Sequence, residues 1–298
     1  MKILIVGGTG LVGSRLVNSL ISQNHHVIIL SRNPSKYQNK FDQKVNFVDW
    51  DANEIGLLQN TDVVIKLSGE NVAQFWTRNV KNKILSSRVD LSQTLLQFLK
   101  KNQVKNSLLI NASAIGFYAK KNMVYDGQVD ENSRSGDSFL SKVCQLNEES
   151  CKIFSEAGMR VVHLRIGMIL TSNFSLLIGF LSFFSLPMLG IKKNYFPWVH
   201  IDDVVGFINH AIINHVEGPF NLISPNPINH RDFYYTIRKH YNGIFPWILF
   251  IPSFIVKMAG DISEIVFYGP KTAPVRTLES GYKFKFPDLD EALHHIDK

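Results

Sequence analysis

Short apolar runs rich in β-branched residues recur through the first half of the chain, each followed by apolar residues at helical spacing. Residues 1–6 read Met-Lys-Ile-Leu-Ile-Val, and Leu16, Val17, Leu20 and Ile21 then mark one face of a helix over residues 14–21. Further strands are expected at residues 25–30, 45–48, 62–67, 108–112 and 160–164. A long helical pattern covers residues 77–101 with Thr77 as its N-cap, and another covers residues 138–157. Strands and helices alternating over short connections predict an α/β fold. Its core is a doubly wound parallel sheet of the Rossmann kind, with ligands outside the carboxyl ends of the strands. Beyond about residue 165 the alternation weakens into aromatic and proline-rich segments such as Phe196-Pro197-Trp198 and Phe245-Pro246-Trp247. These predict a smaller C-terminal α+β lobe closing over the sheet edge. The chain thus divides into a nucleotide-binding domain over residues 1–170 and a substrate lobe with a C-terminal segment over residues 171–298. Residues 197–222 return in part to the sheet. Residues 282–286 read as a late strand and residues 289–296 as a closing helix.

Between the first strand and the first helix stands Gly7-Gly8-Thr9-Gly10-Leu11-Val12-Gly13. Gly7 permits the tight turn, Gly10 lets the backbone approach a pyrophosphate, and Gly13 lets helix and strand pack closely. All seven residues are candidate cofactor contacts, the phosphates resting on the amides of the helix N-terminus. The spacing Gly-x-x-Gly-x-x-Gly is the variant of short-chain dehydrogenases. After the second strand come Ser31 and Arg32, with no acid where an NAD site places one for the ribose hydroxyls. A guanidinium there suits a 2′-phosphate, so NADP(H) is expected in preference to NAD(H).

Composition narrows the partners. The 298 residues are 45% hydrophobic and 19% charged, ordinary for a globular protein. The net charge of +7 raises a nucleic-acid role, but the basic residues are dispersed, Lys100, Lys101 and Lys105 forming the densest group. A small-molecule substrate is expected, and no nucleic acid. Residues 176–190 are apolar yet shorter than the roughly 20 residues a span needs, and read as a buried or pocket-lining helix. Residues 247–258 are broken by Pro252 and carry Lys257, so no membrane span is expected there either. The two cysteines, Cys144 and Cys151, lie about 10 Å apart on one expected helix, too far for a disulfide. With no signal peptide, a reducing cytoplasm is the expected location. No group has metal-ligand spacing.

The chain resembles the extended short-chain dehydrogenases, in particular the nucleotide-sugar epimerase-like proteins of the YfcH type. The resemblance rests on the glycine block, Ser31-Arg32-Asn33-Pro34, Leu67-Ser68-Gly69-Glu70, Trp76-Thr77 with Ser87-Arg88, and Ala112-Ser113-Ala114-Ile115-Gly116-Phe117-Tyr118. Leu164-Arg165-Ile166-Gly167, Trp198-Val199-His200-Ile201-Asp202-Asp203, Gly218-Pro219-Phe220-Asn221 and the tail from Pro252 extend it over almost the whole chain. It implies NADP binding by Ser31, Arg32, Leu67, Ser68 and Arg88, with Lys83 on the same helix and Met168 near the nicotinamide. Gly69, Glu70, Ala112 and Arg165 belong to the same expected cofactor set. A nucleotide sugar is an implied substrate, and a homodimer is compatible with this reading. The chain departs from the family at residues 189–195, where a glycine-rich segment usually stands, which bears on the substrate pocket.

A second departure concerns chemistry. Short-chain dehydrogenases generally carry Tyr-x-x-x-Lys on the helix after the fifth strand, the lysine lowering the tyrosine pKa so that it exchanges a proton with substrate. Here Ser138 and Lys142 stand in one register, and Leu140 and Cys144 in the register set by Glu148. The one Tyr-x-x-x-Lys, Tyr235 to Lys239, falls in the C-terminal lobe. The remaining candidates are Ser113, which would orient a substrate hydroxyl, Tyr118, which either supplies a proton or packs, and Lys142, which either assists or is an exposed lysine. Two functions stay open: a reductase or epimerase-like oxidoreductase moving a hydride at a carbinol or carbonyl carbon, and a non-catalytic NADP(H)-dependent binding or regulatory protein.

Overall fold

The computed structural model describes residues 1–41, 44–105, 107–121, 127–172, 187–189, 194–241, 249–251 and 269–296. Seven strands form its central sheet: Lys2–Val6 (β1), His26–Leu30 (β2), Asn46–Val48 (β3), Val63–Lys66 (β4), Leu108–Ala114 (β5), Arg160–Ile166 (β6) and Gly218–Leu222 (β7). Their order is β7-β6-β5-β4-β1-β2-β3, and every pairing is parallel. The strand order reverses between β1 and β4, which opens a crevice at their carboxyl ends.

β1, β2 and β4 are apolar along nearly their whole length because helices cover both faces. Alternate residues feed two cores. Ile3, Ile5, Val27 and Ile29 pack on Leu11–Ser22 (α1) and on Phe207 and Ile208, whereas Leu4, Val6, Ile28 and Val64 pack on Leu95, Phe98 and Leu99 of Arg78–Lys101 (α2). Thr77 caps α2, its side chain accepting from the Val80 amide. A third core joins Trp198, Phe233, Ile237, Leu289 and Leu293 beyond the sheet.

The elements depart from the sequence pattern in three places. The helix expected over residues 138–157 is two helices, Phe139–Glu149 (α3) and Lys152–Glu156. The Ser150 hydroxyl donates back to the Asn147 carbonyl, and the Cys151 amide bonds the Glu148 carbonyl in a tighter turn. The strand expected over residues 282–286 does not form. The Lys285 and Phe286 amides, which a sheet neighbour would engage, donate to the buried Asp203 carboxylate at 2.6 and 3.0 Å. Asp203 lies on Ile201–Ile213 (α4), and Tyr282 also donates to it, so one acid ties this late segment to the helix. The closing helix is present as Leu289–Ile296. The helix expected over residues 176–190 lies largely outside the described residues; within it Pro187–Leu189 is a strand paired with Leu249–Ile251.

Candidate functional site

The glycine loop is held by contacts that only glycine permits. Gly7 has φ +88°, and a Cβ there would come within 2.7 Å of the Ser68 amide nitrogen. A Cβ on Gly13 would overlap the Gly7 carbonyl oxygen. α1 begins after Gly10 with no side-chain cap and no acidic residue in its first turn. The first-turn amides, Leu11 to Gly13, therefore point out of the helix end, with the helix dipole behind them. Across the sheet edge, Ser31 follows β2 and its hydroxyl accepts from the Asn33 amide; Arg32 is exposed beside it.

A cleft of about 350 Å³ opens at the carboxyl ends of β4, β5 and β6. Leu67, Ser68 and Gly69 form its first wall, Ala112 and Ser113 its second, and Gly167 and Met168 its third. Arg88 of α2 and Leu140, Cys144 and Asn147 of α3 close it. Gly69 lets the Arg88 guanidinium lie against the chain, since a Cβ would sit 2.8 Å from its Cζ. Arg88 is anchored by donating to the Ile84 and Glu70 carbonyls at 3.0 and 3.1 Å. The Ser68 hydroxyl is buried at the cleft without a hydrogen-bond partner among the described residues.

Behind the cleft runs a polar network. Ser113 Oγ donates to Glu148 Oε1 at 2.7 Å, and Glu148 receives Arg165 through Nε at 2.9 Å and a second nitrogen at 2.8 Å. Arg165 also donates to the Tyr118 oxygen at 2.7 Å, and Tyr118 donates to Asn221 Oδ1 at 3.0 Å. Arg165 lies over the Phe117 ring with 3.5 Å from Cζ to the centroid.

These contacts place the expected residues. Leu67, Ser68, Gly69, Arg88, Ala112, Ser113 and Met168 line the cleft together. Glu70 is exposed and contributes its carbonyl to Arg88. Lys83 is exposed and outside the lining, because its position on α2 faces away from Arg88. Arg165 is 4% exposed and is spent on Glu148 and Tyr118, so it supports the wall instead of reaching a cofactor. Tyr118 is 2% exposed and absent from the lining; burial pushes its phenol up to about 12, the opposite of what proton exchange near neutrality requires. Lys142 is exposed and outside the lining. The register set by Glu148 governs α3: Leu140 and Cys144 face the cleft, while Ser138 caps the helix. Burial pushes the Cys144 thiol up to about 11.

One residue of the site escaped the sequence reading. Lys66, the last residue of β4, is 1% exposed. Its ammonium donates to the Arg88 carbonyl, Ser92 Oγ and Asn147 Oδ1 at 2.8, 2.7 and 3.1 Å. Burial pulls its pKa down to about 8. The signal was a cation inside Val63-Val64-Ile65-Lys66-Leu67, an otherwise buried run.

Two groups of three metal-type side chains occur among the described residues, His200 with Asp202 and His295, and His240 with Asp290 and His294. In the first, His200 Nδ1 accepts from the Asp202 amide at 3.0 Å, so neutral His200 carries its proton on Nε2, facing His295 at 3.3 Å. That nitrogen is a donor, and Asp202 is already paired with Arg15. This group is a hydrogen-bonded chain and not a ready ligand set.

The fixed glycine turn, the uncapped helix end, the buried unpartnered Ser68 hydroxyl and the Arg88 cation together fit a dinucleotide. Comparisons with known proteins identify what the chain is similar to. A profile of the NAD dependent epimerase/dehydratase family matches residues 3–223, and one of a domain of unknown function, DUF1731, matches residues 251–296. The epimerase family protein YfhF of Bacillus subtilis is 30% identical over 99% of this chain and 98% of its own length. Human SDR39U1, solved with NADPH, is similar at a TM-score of 0.82 and 26% identity, covering 100% of this chain and 99% of the human one. UDP-glucuronic acid 4-epimerase from Bacillus cereus, solved with UDP-glucuronic acid and NAD, shares the fold at a TM-score of 0.76 and 19% identity, over 99% and 97% of the two chains. The chain belongs to the NAD dependent epimerase/dehydratase family and carries DUF1731 as its C-terminal part.

Proposed function

We propose that this chain binds NADP(H) along the carboxyl edge of its sheet and moves a hydride between it and a small carbonyl or carbinol compound. The observation that carries this reading is the junction of the uncapped α1 terminus with the cleft, bridged by the contact of Gly7 with Ser68. The first-turn amides of α1 hold the pyrophosphate, and Ser31 and Arg32 hold the 2′-phosphate, where no acid competes. NADP(H), when bound, supplies or accepts the hydride. Leu67, Ser68 and Met168 bound the nicotinamide end of the cleft. Ser113 Oγ, which donates to Glu148, accepts from the hydroxyl of a carbinol substrate. The proton lost with the hydride thus passes through Ser113 to Glu148, and returns by the same route when a carbonyl is reduced. Ser113 is oriented by Glu148, which Arg165 fixes in turn; Tyr118 positions Arg165 from behind. Substrates come from the aldehydes, ketones and nucleotide sugars that a mostly apolar cleft admits.

A second reading, a non-catalytic NADP(H)-dependent binding protein, is favoured by Leu140 and Cys144 standing at the cleft where a tyrosine and lysine would serve proton transfer. NADPH oxidation across a panel of aldehydes, ketones and nucleotide sugars, repeated with Ser113→Ala, separates the two. Turnover that drops at least tenfold in the variant supports hydride transfer at this cleft. NADPH binding with no turnover across the panel supports the binding protein.

A further inference from the structure

Lys66 is a buried cation whose partners are all neutral. Its three hydrogen bonds go to a backbone carbonyl, a serine hydroxyl and an amide oxygen, and no carboxylate pairs with it among the described residues. Asn147, which takes the third bond, lines the cleft, so the charge stands one side chain behind the wall. Arg88, whose carbonyl takes the first bond, contributes a second cation to the same wall. Glu148, which accepts from the lining residue Ser113, is neutralised by Arg165, and Glu70, whose charge acts on Arg88, is exposed to solvent. Among the described residues the lining holds no carboxylate. Among the described residues, the wall formed by Asn147 and Arg88 is therefore electropositive.

We propose that the buried ammonium of Lys66 makes the cleft discriminate between the two oxidation states of NADP(H), favouring the neutral reduced ring over the positively charged oxidised one. The inference rests on the cofactor reading above. Reduced and oxidised cofactors differ at the ring by one positive charge and share their phosphates. The repulsion from Lys66 is thus felt by one state alone, and a charge in a poorly solvated wall is weakly screened. Lys66 is a specificity determinant for the cofactor and takes no part in proton transfer.

The charge can be removed without mutation, because Lys66 loses its proton at about pH 8. The groups facing it are Arg88 from α2, Cys151 from the turn after α3 and His163 from β6, with Glu148 beyond them. Burial raises the Cys151 thiol and lowers the His163 imidazole, which moves both away from the pH at which Lys66 titrates. The cofactor's 2′-phosphate titrates near pH 6 in both oxidation states and cancels in their ratio.

The test is the ratio of the NADP+ and NADPH dissociation constants, measured calorimetrically at about pH 6.5 and about pH 9.5 for the wild-type chain and for Lys66→Met. The expected ratio favours NADPH about tenfold more at the lower pH than at the higher. In Lys66→Met it is independent of pH and sits at the wild-type high-pH value. By linkage, NADP+ binding to the wild type near pH 8 releases protons, and NADPH binding does not. A wild-type ratio that is the same at both pH values overturns the inference and leaves the cofactor reading standing. A variant that keeps the wild-type pH dependence overturns it as well. Failure of both dinucleotides to bind overturns the cofactor reading and this inference with it. Should Lys66→Met fail to fold, the wild-type series still decides.

Discussion

Tyr118 shows how burial reassigns a side chain. Its hydroxyl bridges Arg165 and Asn221, both buried, so removing it strands a guanidinium N–H and an amide oxygen in the wall. Tyr118→Phe is expected to cost about 1–3 kcal/mol of stability, read from urea denaturation, while NADPH affinity stays within twofold of wild type. A variant of full stability with lost turnover would contradict this and restore Tyr118 to the reacting atoms. Sequence position alone left both roles open, because proximity to β5 says nothing of which way the ring points. Ser113 differs from it in having the cleft on one side and Glu148 on the other. The loss of the Tyr-x-x-x-Lys pair was legible in the sequence; which register replaced it was settled by the hydrogen bonds that Glu148 makes.

At the scale of elements, the proposed function assigns the cofactor phosphates to the glycine turn and the helix it starts. Gly13→Ala pushes a methyl into the Gly7 carbonyl and so drives α1 away from β1. The expected result is a loss of about 2–4 kcal/mol of stability and, in any folded protein, at least tenfold weaker NADPH binding, both read by thermal shift with and without cofactor. Gly56 is the contrasting position, with open space around its would-be Cβ, and Gly56→Ala leaves both unchanged. Elements built from local pattern were legible: β1, β2, β4 and α2 follow from continuous apolar runs and from helical spacing with a cap. Elements decided by long-range partners were not. Residues 282–286 carry a strand-like alternation, but their amides are claimed by Asp203, some 80 positions earlier in the chain.

At the scale of the whole molecule, the C-terminal helix Leu289–Ile296 is fastened to the sheet domain through His200 and His295. Burial holds the His200 imidazole down at about 4, with Asp202, His295, Lys285 and Arg15 around it. Between pH 6.5 and 4 the unfolded chain binds a proton at this histidine that the folded chain refuses, so stability is full above 6.5 and falls as the pH falls. The expected loss from this group is about 2 kcal/mol between pH 7 and pH 5, measured by denaturant titration, and it is absent in His200→Asn. An equal loss in the variant would assign acid sensitivity elsewhere. No helix among the described residues is long and apolar enough to cross a membrane. The fold, the glycine turn and the Ser31-Arg32 pair all bear on the central proposal, that the carboxyl edge of this sheet holds NADP(H). The most direct test is a fluorescence titration of the full chain with NADPH and with NADH, repeated on Arg32→Ala. The account predicts NADPH binding at least tenfold tighter than NADH in the wild type, and a preference that collapses in Arg32→Ala. Equal binding of both nucleotides by the wild type, or a preference untouched by the substitution, would contradict it.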